Sequence, residues 1–564
     1  MPPDRVVKGT EQIMYVNNSP DTLRILVFKF IQNIHRPGVT RAGTASADYL
    51  TDGVQVDRFT VNGKDTRWND NQGAPTLQYT RLAKPLPPHD SVQLGFDWHF
   101  QASLQSGREG MIDSTTYFLA YFYPRVAVYD DYRGWDQTEH NDALEFYNDF
   151  NDYKLHVKVP KNYLVWATGD LQNAAEVLQP AYLQKLNESL KADATVHIVT
   201  AEDLASKNIT TQNSVNTWTY FYNNVTDVAL GLSDHYVWDA SSVIVDERSG
   251  RRASVNAAFN DTAKDFHHMV EYEQSALSFL SGKWPAVPYP FPKMTVFQGY
   301  AGMEYPMMAN DETYEDPNFS RFVAEHEIAH TWFPFYMGIN ETRYGFMDEG
   351  WATTFELLYN RTVMPKAEAD QFYKRFRVNG WIHDNDPSED LPIITPGEQL
   401  SGAGLGNNEY GKPSLGYLAV KDLLGDDLFK KCLHGFMERW HGRHPIPWDL
   451  FYSFNDISGK NLDWFWSAWF ISNNYIDLAI ENVAAGKKEQ QVMLKNIGGF
   501  PVPVDLQLEY TDGTKETIHK TPAIWEKNPK EAVITIESKK ALQSVSLVTD
   551  IYVDADASNN NWKK

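Results

Sequence analysis

Cysteine is all but missing from this chain of 564 residues, and Cys432 is the only one. No intramolecular disulfide can form, and no cysteine-based metal site can be built. Cys432 lies in the apolar stretch Leu428-Phe-Lys-Lys-Cys-Leu433, where a small buried residue is expected and not a nucleophile. Also missing is any run of about eighteen apolar residues, so no membrane-spanning helix is predicted. Positive charge is in deficit, with 51 Lys and Arg against 74 Asp and Glu, a net charge of −23. Such a surface repels phosphate backbones and anionic lipid, which excludes nucleic acid as an expected partner. The opening Met1-Pro-Pro-Asp-Arg-Val-Val-Lys8 has no apolar signal core. A periplasmic or secreted protein whose leader has been removed is favoured over a cytoplasmic one.

What is present is an ordinary globular composition, 42% hydrophobic and 22% charged, at a length that predicts two to four domains. Residues 1–240 alternate apolar and polar side chains between Pro, Gly, Asn and Asp, a strand-rich pattern. The stretches from Thr22, Val92 and Tyr153 are examples, and one helix is expected from Pro180. Residues 241–478 change period: a helical pattern over 262–282, a strand at Lys293–Phe297, then helices from about 318 to 475. Strands return over 479–564, separated by turns such as Asp512-Gly513, and read as a small β-sandwich. The fold class is therefore multidomain α+β, in the order β, helix-rich, β.

The chemistry lies in Phe322-Val-Ala-Glu-His-Glu-Ile-Ala-His-Thr-Trp-Phe333, which contains His-Glu-x-x-His. On a helix His326 and His330 are one turn apart and leave the same face, so both imidazoles can reach one ion. Zinc suits two neutral imidazoles and a carboxylate, with a fourth position left for water. Glu327 stands beside the first histidine, placed to take a proton from that water. Downstream, Met347-Asp-Glu-Gly-Trp-Ala starts a second helix, and its Glu349 lies nineteen positions after His330. That gap lets one helix end and a second bring its carboxylate to the metal. Glu356, seven positions on, falls on the same helix face. It is either a carboxylate that orients a ligand histidine or a solvated residue.

With this spacing the helix pair resembles peptidase family M1, which includes aminopeptidase N. Gly302-Met-Glu-Tyr-Pro306 is similar to the family's exopeptidase signature Gly-x-Met-Glu-Asn, one residue tighter and with Tyr305 in place of Asn. Glu409-Tyr-Gly-Lys-Pro-Ser-Leu-Gly-Tyr417 resembles the segment that carries the family's catalytic tyrosine. Phe150-Asn-Asp-Tyr153 through Ala167-Thr-Gly169 resembles its amino-terminal β domain. The resemblance implies a β-rich saddle domain, a thermolysin-like helix-rich catalytic domain and a carboxy-terminal β-sandwich. It implies one Zn2+ per chain on His326, His330 and Glu349, with Glu327 as base and Tyr410 as donor to the developing oxyanion. Glu304 would pair with the substrate's ammonium group, while Ala301, Gly302 and Met303 would line the bound peptide. Expected partners are peptides with a free amino terminus, and a monomer is expected.

The chain departs from the family in two respects. Many relatives carry a Gln or Glu in the β domain that helps hold the amine, but Phe118-Leu-Ala-Tyr-Phe-Tyr-Pro-Arg125 has none at the matching place. Phe118, Tyr121 and Tyr123 are instead candidates to line an apolar first pocket. The segment from Gln12 resembles a strand well inside the family's first domain, so a late start is expected, as is the lack of a counterpart to the large helical carboxy-terminal domain of aminopeptidase N. Two rival readings stand: a thermolysin-type zinc endopeptidase, and a catalytically inert peptide-binding module.

Overall fold

The computed structural model describes residues 5–383, 390–485, 489–538 and 540–564; Met1 to Asp4 of the opening stretch lie outside them. The order of elements is β-rich, then helical, then β-rich. The backbone packs into two compact units, Met1–Gly338 and Ile339–Lys564.

In the first unit, strands form where alternation is cleanest. Ser91–Gln101 pairs antiparallel with Val6–Val16 along its whole length, and Val92, Leu94, Phe96, Trp98 and Phe100 point into the core. The helix expected from Pro180 spans Pro180–Ser189, with proline in its first turn, where the missing N–H removes no intrahelical bond.

The sheet that matters most has six strands. They run Val196–Val199, Val237–Asp246, Arg251–Phe259, Lys293–Gln298, Met308–Asp311 and Glu304–Tyr305 across its width. Arg251–Phe259 and Lys293–Gln298 are parallel, so the chain between them must cross over, and helix Met269–Gly282 makes that crossing. The helix starts later than the sequence pattern predicts. Asn260 accepts from both the Thr262 amide and hydroxyl, which holds the preceding residues in a turn. Glu304–Tyr305 turns back antiparallel to Met308–Asp311 and occupies the sheet's edge.

Helix Pro317–Ala329 follows. Asp316 caps it by accepting from the Asn318 amide at 2.9 Å, and Pro317 fills the first position. Its end is set by Pro334, because the residue before a proline is pushed out of the helical region. Phe333 accordingly has φ −137° and ψ 105°.

In the second unit, helices Glu349–Val363, Gly411–Leu424, Asp426–Trp440 and Pro447–Ser458 pack through large aromatics. Trp351 stacks on Tyr417 at 3.9 Å between centroids, and Trp469 on Phe500 at 4.0 Å. Here the chain's aromatic richness is mainly core. Cys432 is buried there too, and burial pushes its thiol up to about 11, so it stays protonated and inert at neutral pH. The unit closes with two antiparallel sheets. One orders Leu478–Ala485, Gln490–Asn496 and Glu531–Ile536; the other orders Lys515–Lys520, Val504–Tyr510, Leu542–Val548 and Asn561–Lys563. Among the described residues no helix is long and apolar enough to cross a membrane.

Candidate functional site

The first unit carries the His-Glu-x-x-His segment on the last turn of helix Pro317–Ala329, with His330 as its C-cap. His326 and His330 are both buried, their ring centroids 4.9 Å apart and their planes nearly perpendicular. The break at Pro334 now has a chemical consequence. Phe333, forced out of the helix, brings its carbonyl oxygen to 3.1 Å from His330 Nδ1. A carbonyl only accepts, so Nδ1 carries the proton and Nε2 presents its lone pair. That is the tautomer a metal ligand needs, fixed by a backbone group. The donor chemistry thus fits a borderline cation such as zinc.

Glu327 is buried beside these rings, and glycine at 302 is what lets it lie where it does. A Cβ built on Gly302 would come within 3.0 Å of Glu327 Oε1 and 3.1 Å of Val323 Cγ1. Gly302 therefore serves the approach of the carboxylate to the loop, in addition to any approach of substrate. Glu304 is only 4% exposed, and its Oε1 lies 3.8 Å from His330 Nδ1. Glu304, Glu327 and His330 each bring one ligand atom into a set lying within 4.8 Å of one another.

The edge strand positions Glu304. Ala301 O accepts from Glu312 N at 2.8 Å, and Met303 O accepts from Asn310 N at 2.9 Å. Tyr305, which replaces the expected Asn, is buried, and its hydroxyl donates to the Arg108 carbonyl. Phe118 and Tyr121 lie against Tyr305, at 5.0 and 5.7 Å between centroids. Tyr123 is spoken for elsewhere, its hydroxyl donating to Asp227 Oδ1 at 2.6 Å.

The second unit holds Glu349, Glu356 and Tyr410. Glu349 is the first residue of its helix, is buried, and accepts a 2.6 Å hydrogen bond from Tyr410 Oη. Tyr410 joins helices Gly402–Glu409 and Gly411–Leu424 at φ −103°, ψ −89°, outside helical geometry. Its ring is covered by the Arg377 guanidinium, 5.1 Å from the centroid. Arg377 is in turn gripped by Glu356, with Nη2 at 2.5 Å from Oε2 and Nε at 3.2 Å from both oxygens. Burial works against the Arg377 charge, but the Glu356 carboxylate more than offsets it and holds the group above its ordinary range. Glycine at 411 makes this packing possible, since a Cβ there would sit 1.6 Å from the Arg377 carbonyl oxygen. Glu356 is thus no solvated residue of the helix face; its bidentate partner is Arg377.

Sequence reasoning missed Arg377, which lies in no motif, and it missed Arg108 and Glu145 beside Met303. The only signal for Arg377 was the glycine after Tyr410, which marks a close backbone approach without saying of what.

Residues 270–469 match the model of the peptidase family M1 domain. Among solved structures, the chain is similar to Legionella pneumophila aminopeptidase A in complex with aspartic acid. The TM-score is 0.62 and the identity 11%, over 97% of this chain and 55% of that one, so this chain spans about half the length of that enzyme. It is also similar to a two-domain M1 zinc metallopeptidase, a substituted form bound to L-arginine. That TM-score is 0.52 at 15% identity, over 81% of this chain and 88% of that one. At such identities the likeness is one of fold.

Proposed function

Residues 270–469 match the model of the peptidase family M1 domain, and on that match we propose that the protein is a zinc metallo-aminopeptidase. It removes the first residue from peptides with a free amino terminus. The observation that carries this reading is the gathering of Glu304 with Glu327 and His330 at the edge of the six-stranded sheet. On this reading one zinc ion per chain is held by His326, His330 and Glu349. Residues 1–240, 241–478 and 479–564 are its β-rich, catalytic and carboxy-terminal domains.

Zinc in such a site polarises a carbonyl and lowers the pKa of a water. The chain's own residues do the rest. Glu327 accepts the proton of the attacking water and passes it to the leaving amine. Tyr410 donates its phenolic O–H to the oxygen on which negative charge develops. Glu304 fixes the substrate's ammonium group, a charge-assisted contact worth about 1.5–3 kcal/mol. A peptide extending past that point would leave the buried Glu304 carboxylate without its cation, which penalises internal bonds. The backbone of Ala301 to Tyr305, at the sheet's edge, suits a substrate laid down as an added strand.

The test is hydrolysis of single amino-acid chromogenic amides, free and amino-acetylated, by protein of measured zinc content. Cleavage of the free amides and sparing of the acetylated ones supports the reading. Preferential cleavage of blocked peptides at internal bonds would replace it with a thermolysin-type endopeptidase, and no cleavage at all with a peptide-binding module.

A further inference from the structure

The hairpin that carries Glu304 is held by the loop around Arg108. Asn310 Nδ2 donates to the Gly107 and Arg108 carbonyls at 3.1 and 3.2 Å, and Tyr305 Oη donates to the Arg108 carbonyl as well. This fixes the Arg108 backbone against the residues on both sides of the turn. Its side chain then reaches Met303, the neighbour of Glu304, with Nη1 3.0 Å from Met303 Sδ. Nη1 also donates to Glu145, and the guanidinium lies 5.9 Å from the centre of the Phe146 ring.

Three features make this more than a structural ion pair. First, only the Nη1 corner is used; among the described residues neither Nε nor Nη2 of Arg108 has a hydrogen-bond partner. Those two N–H groups form the flat edge that receives a carboxylate bidentately. Second, the Arg108 side chain is 30% exposed while that of Glu145 is 8% exposed, so Arg108 is the more accessible member of the pair. Third, Glu304 is among the charges that act on it. Burial opposes the Arg108 charge, and Glu145 foremost, with Tyr121 and Glu304 behind it, holds the guanidinium protonated. Glu109, next in the chain, is turned to His35 Nε2 at 2.7 Å.

We propose that Arg108 is a specificity-determining residue whose Nε–Nη2 edge receives the side-chain carboxylate of an amino-terminal Asp or Glu. The inference rests on the aminopeptidase reading, in which Glu304 holds the ammonium group. The side chain of a first residue hangs from the carbon that bears that ammonium. Arg108 Nη1 touches Met303, the residue next to Glu304, which sets the guanidinium one residue away from the anchor of that carbon. An acidic side chain gains a charge-assisted pair there, whereas Lys or Arg meets a like charge. The amine is anchored by one carboxylate and the side chain by one guanidinium, so the substrate class is peptides with an acidic amino terminus.

The experiment compares kcat/KM on the 4-nitroanilides of Glu, Leu and Lys for the wild type, Arg108→Gln and Arg108→Lys. The wild type should favour Glu over Lys by at least about tenfold, and Arg108→Gln should cut the Glu-to-Leu ratio by about ten- to a hundredfold. Arg108→Lys keeps charge without the planar edge and should fall between them. Because the readout is a ratio within one preparation, a general loss of folded enzyme does not mimic the effect. If Arg108→Gln is too unstable to assay, the Glu-to-Leu ratio of Arg108→Lys decides. A wild-type preference for Lys, or a Glu-to-Leu ratio unmoved by either variant, overturns the proposal while leaving the aminopeptidase intact. Absence of cleavage of all three amides by the zinc-loaded wild type overturns the aminopeptidase reading instead.

Discussion

Tyr410 donates a hydrogen bond to Glu349, Oη to Oε1 at 2.6 Å. The phenol and the carboxylate proposed for the metal are thus held together, with the Arg377 guanidinium over the ring. On the proposed function, the O–H would exchange this acceptor for the oxyanion that develops on the substrate.

Tyr410→Phe removes that donor and little volume. Turnover should drop by roughly a hundredfold, with KM nearly unchanged, since the contact is made in the transition state. Steady-state kinetics on a free amino-acid amide reads both constants. A raised KM with normal kcat would make Tyr410 a plain binding contact.

Arg377→Met takes the bidentate partner from the Glu356 carboxylate, which is 1% exposed. Removing one member of a buried pair costs about 3–5 kcal/mol. A clearly lowered melting temperature is expected, and Arg377→Met combined with Glu356→Gln should recover much of it, because the buried charge is then gone. Additive losses in the double variant would show that the two side chains act independently.

How much of this was legible beforehand follows from what kind of information each feature needs. His326, Glu327 and His330 could be read because one helical turn is a local property, and the strand pattern of Ser91–Gln101 because alternation is local too. Glu304 was legible only through a signature, and its reason for existing, an edge strand folded back on Met308–Asp311, is not in the spacing. Arg377 over Tyr410 and Arg108 against Met303 are contacts between residues far apart in sequence, set by how loops settle, and no periodicity encodes them. The His330 tautomer lies between these cases. Pro334 was visible, but that the displaced Phe333 carbonyl would turn onto Nδ1 required the backbone. Phe118–Arg125 holds no Gln or Glu, and the charges that act on Tyr121 there, Arg108 and Glu145, come from other loops, which no local pattern signals.

His330→Ala and Glu327→Gln separate holding the metal from using it. The first should lose zinc, as measured by inductively coupled plasma mass spectrometry, because two remaining ligands bind it poorly. The second should keep zinc and lose turnover by several orders of magnitude, since an amide cannot take the proton. Full zinc in the first or near-normal turnover in the second removes the assigned role.

His235 gives a stability test away from the site. Its hydrogen bonds to the carboxylates of Asp113, 3.1 Å from Nε2, and Asp234, 3.0 Å from Nδ1, raise it to about 9 from the ordinary 6.5. The folded protein therefore binds a proton that the unfolded chain has lost between those values. The stabilisation is complete below about 6.5 and disappears as pH rises through about 9. The melting temperature of the wild type minus that of His235→Asn should be largest near pH 6 and shrink toward pH 10, other groups cancelling in the difference. A difference that stays flat across the range contradicts it.

The measurement that bears most directly on function is Glu304→Ala assayed on matched free and amino-acetylated peptides. If the carboxylate holds the ammonium group, the variant should lose about a hundredfold or more on free peptides, the fold equivalent of a contact near 3 kcal/mol. On acetylated peptides, which carry no ammonium, it should lose little or even gain. Equal losses on both would mean that Glu304 is structural, and the exopeptidase assignment would not stand.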